Sequence, residues 1–496
     1  MKQLIDKLFK TKISTSYMFI LFGLSAIMLV GYSSYAWFTV QGVQQYSVVT
    51  GTLSGSIAIG TNSVAINGSG VITYTPSTDD EEVTITVTNS SDRTVKNSIY
   101  YYTLSDSSIK IGYTSDSTVP SVTGVSVEKG KTLTYKIKIK GAKGKQIKIG
   151  SSMGLTTSNL SLPSGTVAFE LLSDPSGAET LIAKANPEDL DYNSATADQK
   201  NQMWTFSHEA TEQLGATTDY RYIGANPNNY VKFNDELWRI IGVFDVDDGT
   251  GKLEKRLKII RNESIGYYSW DNKDKSTGAE NAYGKNNWSD ARINYLLNEG
   301  HDSETYGGSL YWNRKSGTCY YEQYNRTTSC NFTVTGLTNS AKEMIGGAKW
   351  YLGGSTIYEG ITAPMFYTSE RGTAVYSERS TSWIGKVGLI YPSDYGYATS
   401  GGSTTNRASC MNSQLHNWGD SSYNDCKLND WLLTGNMWTL SPYTNSTYFV
   451  SYLNSTGSLA PREVKEILGI WPVVYLKSTI KISSGTGSST DPFILE

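Results

Sequence analysis

Histidine is nearly missing from this chain: His208, His301 and His416 are the only three in 496 residues. General-base catalysis and zinc coordination both draw on imidazole, so the shortage argues against either and leaves carboxylates as the main ionisable groups. Charge of one sign is also lacking. Lys+Arg 43 against Asp+Glu 46 gives a net charge of -3, with no cationic bias towards nucleic acid. Cysteine is absent until Cys319, after which Cys330, Cys410 and Cys426 follow. No CxxC pair is among them, which speaks against a four-thiolate metal site. An even number at short separations makes Cys319–Cys330 and Cys410–Cys426 the simplest of three possible pairings, in an oxidising compartment.

Long apolar runs are lacking too, with one exception at Met18–Phe38. Lys2, Lys7, Lys10 and Lys12 precede it, and small or polar residues ending Ser34-Tyr35-Ala36 close it. A basic start, an apolar centre and a small-residue end have the layout of a secretory signal cleaved after Ala36. The run also nears the roughly 20 residues that cross a bilayer, so residues 1–36 read as a signal peptide or as a retained membrane anchor. Tyr35-Ala36-Trp37-Phe38-Thr39, followed by Gly51-Thr52-Leu53, resembles the export signals of Gram-positive biofilm-fibre and camelysin-type proteins, which a SipW-type signal peptidase removes. The resemblance implies an exported, cell-surface protein.

Tyr 35, Trp 12 and Gly 47 describe a polar, aromatic chain of strands and turns. Residues 40–174 alternate with period two: Val83, Ile85 and Val87 between threonines, then Leu133, Tyr135, Ile137 and Ile139 between Thr134, Lys136, Lys138 and Lys140. Turn signals such as Asn67-Gly68 and Glu128-Lys129-Gly130 cut the region into short antiparallel strands, the pattern of an all-β, Ig-like sandwich. Its outline also resembles the sandwich of the fibre-forming proteins, which assemble by donating an N-terminal strand. Ser47–Ile59, apolar and uncharged, is either such a donor or the first strand of its own sandwich. Eight lysines between Lys129 and Lys148 suggest either a hairpin gripping a cell-wall polyanion or a solvated or edge strand guarded against aggregation.

Residues 175–218 read as a polar connector containing a short helix at Ala178–Ala185, stopped by Asn186-Pro187. His208 and Glu209 are neighbours on a strand and point to opposite faces, so no coupled pair is expected. Residues 219–496 open with a hairpin turning at Asn234-Asp235, followed by a strand at Lys255–Ile260. Helices are expected after Ser289-Asp290 and, from a Ser340/Glu343 capping box, through Met344 to Leu352. Trp238, Trp288, Trp350, Trp383 and Trp471 fall at core positions. Asp245, Asp247 and Asp248 offer carboxylates that could hold calcium, and they match an acidic turn better than the EF-hand spacing. Asn429-Asp430-Trp431 reads as core plus polar residues. Pro461–Leu468 has helix-like ends.

Leu237-Trp238-Arg239-Ile240-Ile241-Gly242, Ala348-Lys349-Trp350-Tyr351-Leu352-Gly353, Trp383-Ile384-Gly385-Lys386-Val387-Gly388 and Trp471-Pro472-Val473-Val474-Tyr475-Leu476 resemble landmarks of a domain family on Firmicutes surface proteins. That family, of unassigned activity, is similar to the C-type-lectin-like fold of lectins and formylglycine-generating enzymes. The resemblance implies an α+β lectin-like domain at 219–496, where Pro461–Leu468 would be strand and turn. Neither the lectins' Glu-Pro-Asn sugar motif nor a close cysteine pair is present, so no enzyme and no cofactor are expected. Within Asn412–Leu459, Tyr423, Trp438, Tyr443, Tyr448, Phe449 and Tyr452 stand among Asn, Ser, Thr and Gly without sustained period. Rigid rings among small polar residues suit a recognition surface for a glycan or protein ligand. In relatives of the lectin-like fold this late region can be diversified by retroelements, and the Asn/Tyr/Ser bias is compatible with that. The expectation is thus an adhesive display protein, with a fibre subunit or a formylglycine-type oxidase as alternatives.

Overall fold

The computed structural model describes residues 24–25, 53–104, 106, 109–113, 123–156, 160–171 and 175–496. Apart from residues 24–25, the signal-or-anchor segment with its Ala36 cleavage position lies outside them, as do residues 47–52 of the candidate donor strand. Among the described residues no helix is long and apolar enough to cross a membrane. The described chain is rich in strands, arranged in six sheets, and it divides into two compact units at Ser173/Asp174.

The first unit is two facing sheets. One has the strand order Glu170–Leu171, Lys110–Tyr113, Thr132–Lys140, Asp80–Asn89, Gly55–Ile59, Asn62–Ile66; the other runs Thr166–Ala168, Val95–Tyr102, Ile147–Leu155, Ser69–Tyr74. Alternation decides which side chains face inward: Val83 pairs with Ile137 and Ile85 with Tyr135, and all four are buried. Ile57, Ile99, Ile147 and Ile149 complete the same core, so the unit is a β-sandwich.

Two alternatives left open for this unit narrow. Gly55–Ile59 is paired on both sides within its own sheet, with Asn62–Ile66 and with Asp80–Asn89. That described part of the candidate donor is therefore an ordinary interior strand. The lysine-rich stretch is neither a hairpin nor an edge. Thr132–Lys140 lies between two other strands of its sheet, and the chain then crosses to the opposite sheet at Ile147–Leu155. Its lysines stand on the wet face, where Lys138 and Lys136 approach Asp80 and Glu82 at 3.5 and 4.0 Å, while Lys145 meets Asp106 at 2.5 Å.

The second unit begins at Asp174, so residues 175–218 are not a connector. Ser176 caps Gly177–Ile182 in a capping box with Glu179, and Ala178 and Leu181 of this helix enter the core. Trp204–His208 then pairs with Thr217–Arg221, which joins a nine-stranded sheet through Glu236–Asp247. That junction needs glycine: a Cβ on Gly242 would lie 2.1 Å from the Tyr220 carbonyl oxygen. The Tyr230–Phe233 and Glu236–Asp247 hairpin turns at Asn234 and Asp235, both at positive φ (57° and 62°), as the Asn-Asp pair predicts. Leu253–Arg261 and Val473–Tyr475 continue the sheet. A second sheet has the order Tyr267–Ser269, Ile467–Gly469, Met437–Pro442, Phe449–Leu453, Leu459–Glu463.

Two helix expectations fail. Thr338, not Ser340, caps a helix that stops at Met344, and Ala348–Tyr351 is a strand paired with Ser382–Gly385. Pro461–Leu468 is strand, turn and strand. Trp238, Trp288, Trp350 and Trp471 are buried as expected, whereas Trp383 is only partly so. The disulfides are Cys319–Cys330 and Cys410–Cys426.

Candidate functional site

The six aromatic residues singled out between Tyr423 and Tyr452 do not form one surface. Trp438, on the central Met437–Pro442 strand, is 2% exposed and donates its indole N–H to the Tyr268 carbonyl at 2.9 Å. Tyr443 is 4% exposed, and burial raises its phenol pKa. Both are buried: every residue of Met437–Pro442 is covered, and Tyr443 follows directly after it. Tyr423, on a short 3-10 turn at Ser421–Tyr423, is half-buried and makes no ring contact with the others among the described residues.

Tyr448, Phe449 and Tyr452 remain at the surface, each half-buried. The Phe449–Leu453 strand lies next to the edge strand Leu459–Glu463, which leaves its outer side chains room. Tyr448 and Phe449 pack with ring centroids 4.7 Å apart, and Tyr283, from a loop 165 residues earlier, lies 5.2 Å from Tyr448. Tyr283 is held by the turn at Asn281, whose side chain accepts its backbone N–H at 2.6 Å. Lys465 Nζ stands 4.3 Å over the Tyr283 ring, and the Arg462 guanidinium 5.6 Å over Tyr452. Tyr283, Tyr448 and Phe449 thus form an aromatic strip edged by Lys465, whereas Tyr452, three residues along the strand from Phe449, faces the other side of the sheet with Arg462.

Beside the strip lies a cleft of about 420 Å³ lined by Glu322, Gln323, Lys465, Glu466 and Ile467. Glu322 and Gln323 are at the tip of the Ser316–Tyr320/Thr327–Asn331 hairpin, which Cys319–Cys330 staples across its strands. Lys465 donates to Glu463 at 2.8 Å and to Gln323 at 3.2 Å. Burial works against its ammonium, but the bond to Glu463 and the fields of Glu463 and Glu466 outweigh it and raise the pKa. Arg462 likewise approaches Glu466 at 3.6 Å. The cations are matched by carboxylates, so the cleft is polar without being electropositive.

Tyr283, Gln323 and Lys465 were not legible as site residues in the sequence. The only hint at Tyr283 is an aromatic set between Asn281 and Gly284, and nothing local links it to Tyr448.

A second constellation is wholly buried. His208 does couple to a carboxylate, though not to exposed Glu209: its Nε2 lies 3.0 Å from Asp219 Oδ2, and its ring stacks on Tyr367 at 3.8 Å. Burial lowers its pKa and favours the neutral ring. Arg221 bridges Asp219 at 2.8 Å and Asp394 Oδ1 at 3.1 Å. Asp394 Oδ2 accepts from Lys258 Nζ and from the Tyr391 backbone N–H. Burial drives Lys258 down to about 8. Burial opposes ionisation of Asp394 as well, but Lys258 and Arg221 outweigh it and lower its pKa. Alongside, Glu370 accepts from Ser393 and pairs with Arg371 at 3.1 Å; burial raises it to about 7. The sequence does carry a signal here, since Lys258 interrupts an apolar run between Leu257 and Ile259.

The calcium expectation finds no ligand set. Asp247 and Asp248 accept backbone N–H groups of their own turn, from Gly249, Gly251 and Thr250, and Asp245 pairs with Lys255. Asp430 is buried and accepts from Leu432, while Trp431 donates to the Tyr222 carbonyl. Among the described residues no group of three His, Cys, Asp or Glu is placed to hold a metal ion. Comparison with protein-family models, with curated proteins and with solved structures returned no match to this chain.

Proposed function

We propose that the chain is an exported surface protein whose second unit, a lectin-like α+β domain, binds a neutral glycan along the Tyr283/Tyr448/Phe449 strip and its adjoining cleft. The first unit, an Ig-like sandwich, serves as the stalk. One observation carries the reading: half-exposed rings from two distant segments converge beside a cleft whose charges are internally matched. Aromatic faces take up the C–H faces of sugar rings, and Gln323, Lys465 and the carboxylates supply edge hydrogen bonds. The two disulfides support an extracellular setting.

Matched charge favours a neutral ligand over a cell-wall polyanion, and the carboxylates facing Lys136, Lys138 and Lys145 argue the same for the first unit. A fibre built by donation of Gly55–Ile59 would have to unpair that strand from two neighbours. An oxidase would need a thiol, and all four cysteines are in disulfides. The test is a glycan and protein array probed with the chain from Trp37 onward, beside a Tyr283→Ala/Tyr448→Ala variant. Loss of the glycan signal in the variant supports the strip; equal binding by both removes it.

A further inference from the structure

Lys258 and Asp394 are an unusual ion pair for their surroundings. Both side chains are 0% exposed, and they come from the Leu253–Arg261 strand and the Pro392–Ala398 helix, 136 residues apart in sequence. An ammonium has three N–H donors, and Asp394 Oδ2 is the acceptor that Lys258 Nζ reaches. Ring faces surround it, Tyr391 at 4.5 Å, Phe244 at 5.3 Å, Tyr475 at 5.5 Å and Trp350 at 5.9 Å, and the Arg221 and Arg371 guanidiniums repel it from farther off. The carboxylate is held at both ends, Oδ1 by Arg221 Nη1 at 3.1 Å and Oδ2 by the Tyr391 N–H at 2.9 Å. A primary amine is thus fixed against a carboxyl group in a buried, ring-lined cage, with a guanidinium on the far oxygen.

We propose that Lys258 and Asp394 condense to an intramolecular isopeptide bond. One proton passes from the ammonium to Oδ2 along the existing hydrogen bond, leaving an amine and a carboxylic acid. Burial works against both charges and so lowers the cost of this step, which the pull of Arg221 on the carboxylate opposes. The nitrogen lone pair attacks Cγ, and Arg221 Nη1–H stabilises the negative charge that develops on Oδ1. The Nζ–Cγ bond forms and the Cγ–Oδ2 bond breaks. Oδ2 departs as water, carrying the proton it first received and a second from the attacking nitrogen. No electrons are exchanged and no co-reactant is needed. Oδ1 remains as the amide carbonyl oxygen, still bonded to Arg221. The link would tie the nine-stranded sheet to the Pro392–Ala398 helix, a covalent brace suited to any domain held outside the cell.

The test is mass spectrometry of the full chain after complete reduction and alkylation, weighed intact and mapped by peptide. The expected result is a chain lighter than its sequence by one water, with a branched peptide joining the Lys258 and Asp394 segments. In a Lys258→Arg variant, which keeps a cation beside Asp394 but has no primary amine, the missing water should return. Full sequence mass in the folded wild-type chain would overturn the proposal. So would a water loss in a linear peptide around Asp394, the mark of a cyclic imide, or a variant still one water light. The wild-type measurement decides even if the variant does not fold.

Discussion

Trp438 and Tyr448 are ten residues apart in one aromatic stretch, yet the fold gives them opposite roles. Truncating Trp438 removes a fully buried indole and its bond to the Tyr268 carbonyl. Trp438→Ala should cost about 3–5 kcal/mol in chemical unfolding. Tyr448→Ala, at a half-exposed position, should cost no more than about 1 kcal/mol while weakening ligand binding at least about tenfold. A large unfolding shift with Tyr448→Ala would show that its ring is core. Composition exposed the aromatic richness of this stretch, but not the depth of each ring, because Trp438 lies on a central strand covered throughout and Tyr448 just before a strand beside the sheet edge. Glu370 gives a second residue-level prediction. Burial raises its pKa from 4.5 to about 7, so between those values the unfolded chain releases a proton that the folded chain retains. Its contribution therefore makes stability fall as pH rises from 4.5 to about 7, and then level off. Glu370→Gln keeps hydrogen bonds to Ser393 and should abolish this slope in urea midpoints measured across that range. An unchanged slope would mean that Glu370 ionises normally in the fold.

Among the elements, period-two strands were legible because one sheet face is dry and the other wet. The 83–88 and 133–140 alternations pair in the register their apolar residues dictate. The turn at Asn234-Asp235 was legible because two successive positive φ values favour those residues. Helix at 344–352 was misread because Ala348, Tyr351 and Leu352 fit a helical spacing, while pairing with Ser382–Gly385 makes the segment a strand. That partner lies more than thirty residues away and leaves no local trace. The same long-range dependence hid the site, which needs Tyr283 and the tip of the disulfide hairpin beside Tyr448. The hairpin also yields a prediction. Replacing Cys319 and Cys330 with serine should lower stability by about 3 kcal/mol and weaken ligand binding as well, since Glu322 and Gln323 lose their fixed strands. Replacing Cys410 and Cys426, which join two short helices elsewhere, should lower stability alone. Equal binding loss from both pairs would detach the hairpin tip from the site.

For the whole molecule, two units with separate apolar clusters imply two folding events. Calorimetry of the intact chain should resolve two transitions, and residues 175–496 alone should retain the later-sequence one with both disulfides. A fragment begun near residue 200 should not, because it loses the Ala178 and Leu181 contacts of the first helix. Charge separates the candidate ligands at this scale. The chain is nearly neutral at -3, and Lys465, the cation at the strip, is paired locally with Glu463. Binding of a neutral glycan through ring stacking and hydrogen bonds releases few counterions. Its affinity should change by less than about twofold as salt rises from about 50 to about 500 mM. A polyanion held by lysines would lose roughly an order of magnitude or more over that span, because each neutralised charge contributes to the slope. A steep slope measured on the intact chain, but flat on residues 175–496, would transfer recognition to the lysine face of the sandwich. A flat slope on both, abolished by Tyr283→Ala with Tyr448→Ala, is the outcome that matched charges and converging rings require.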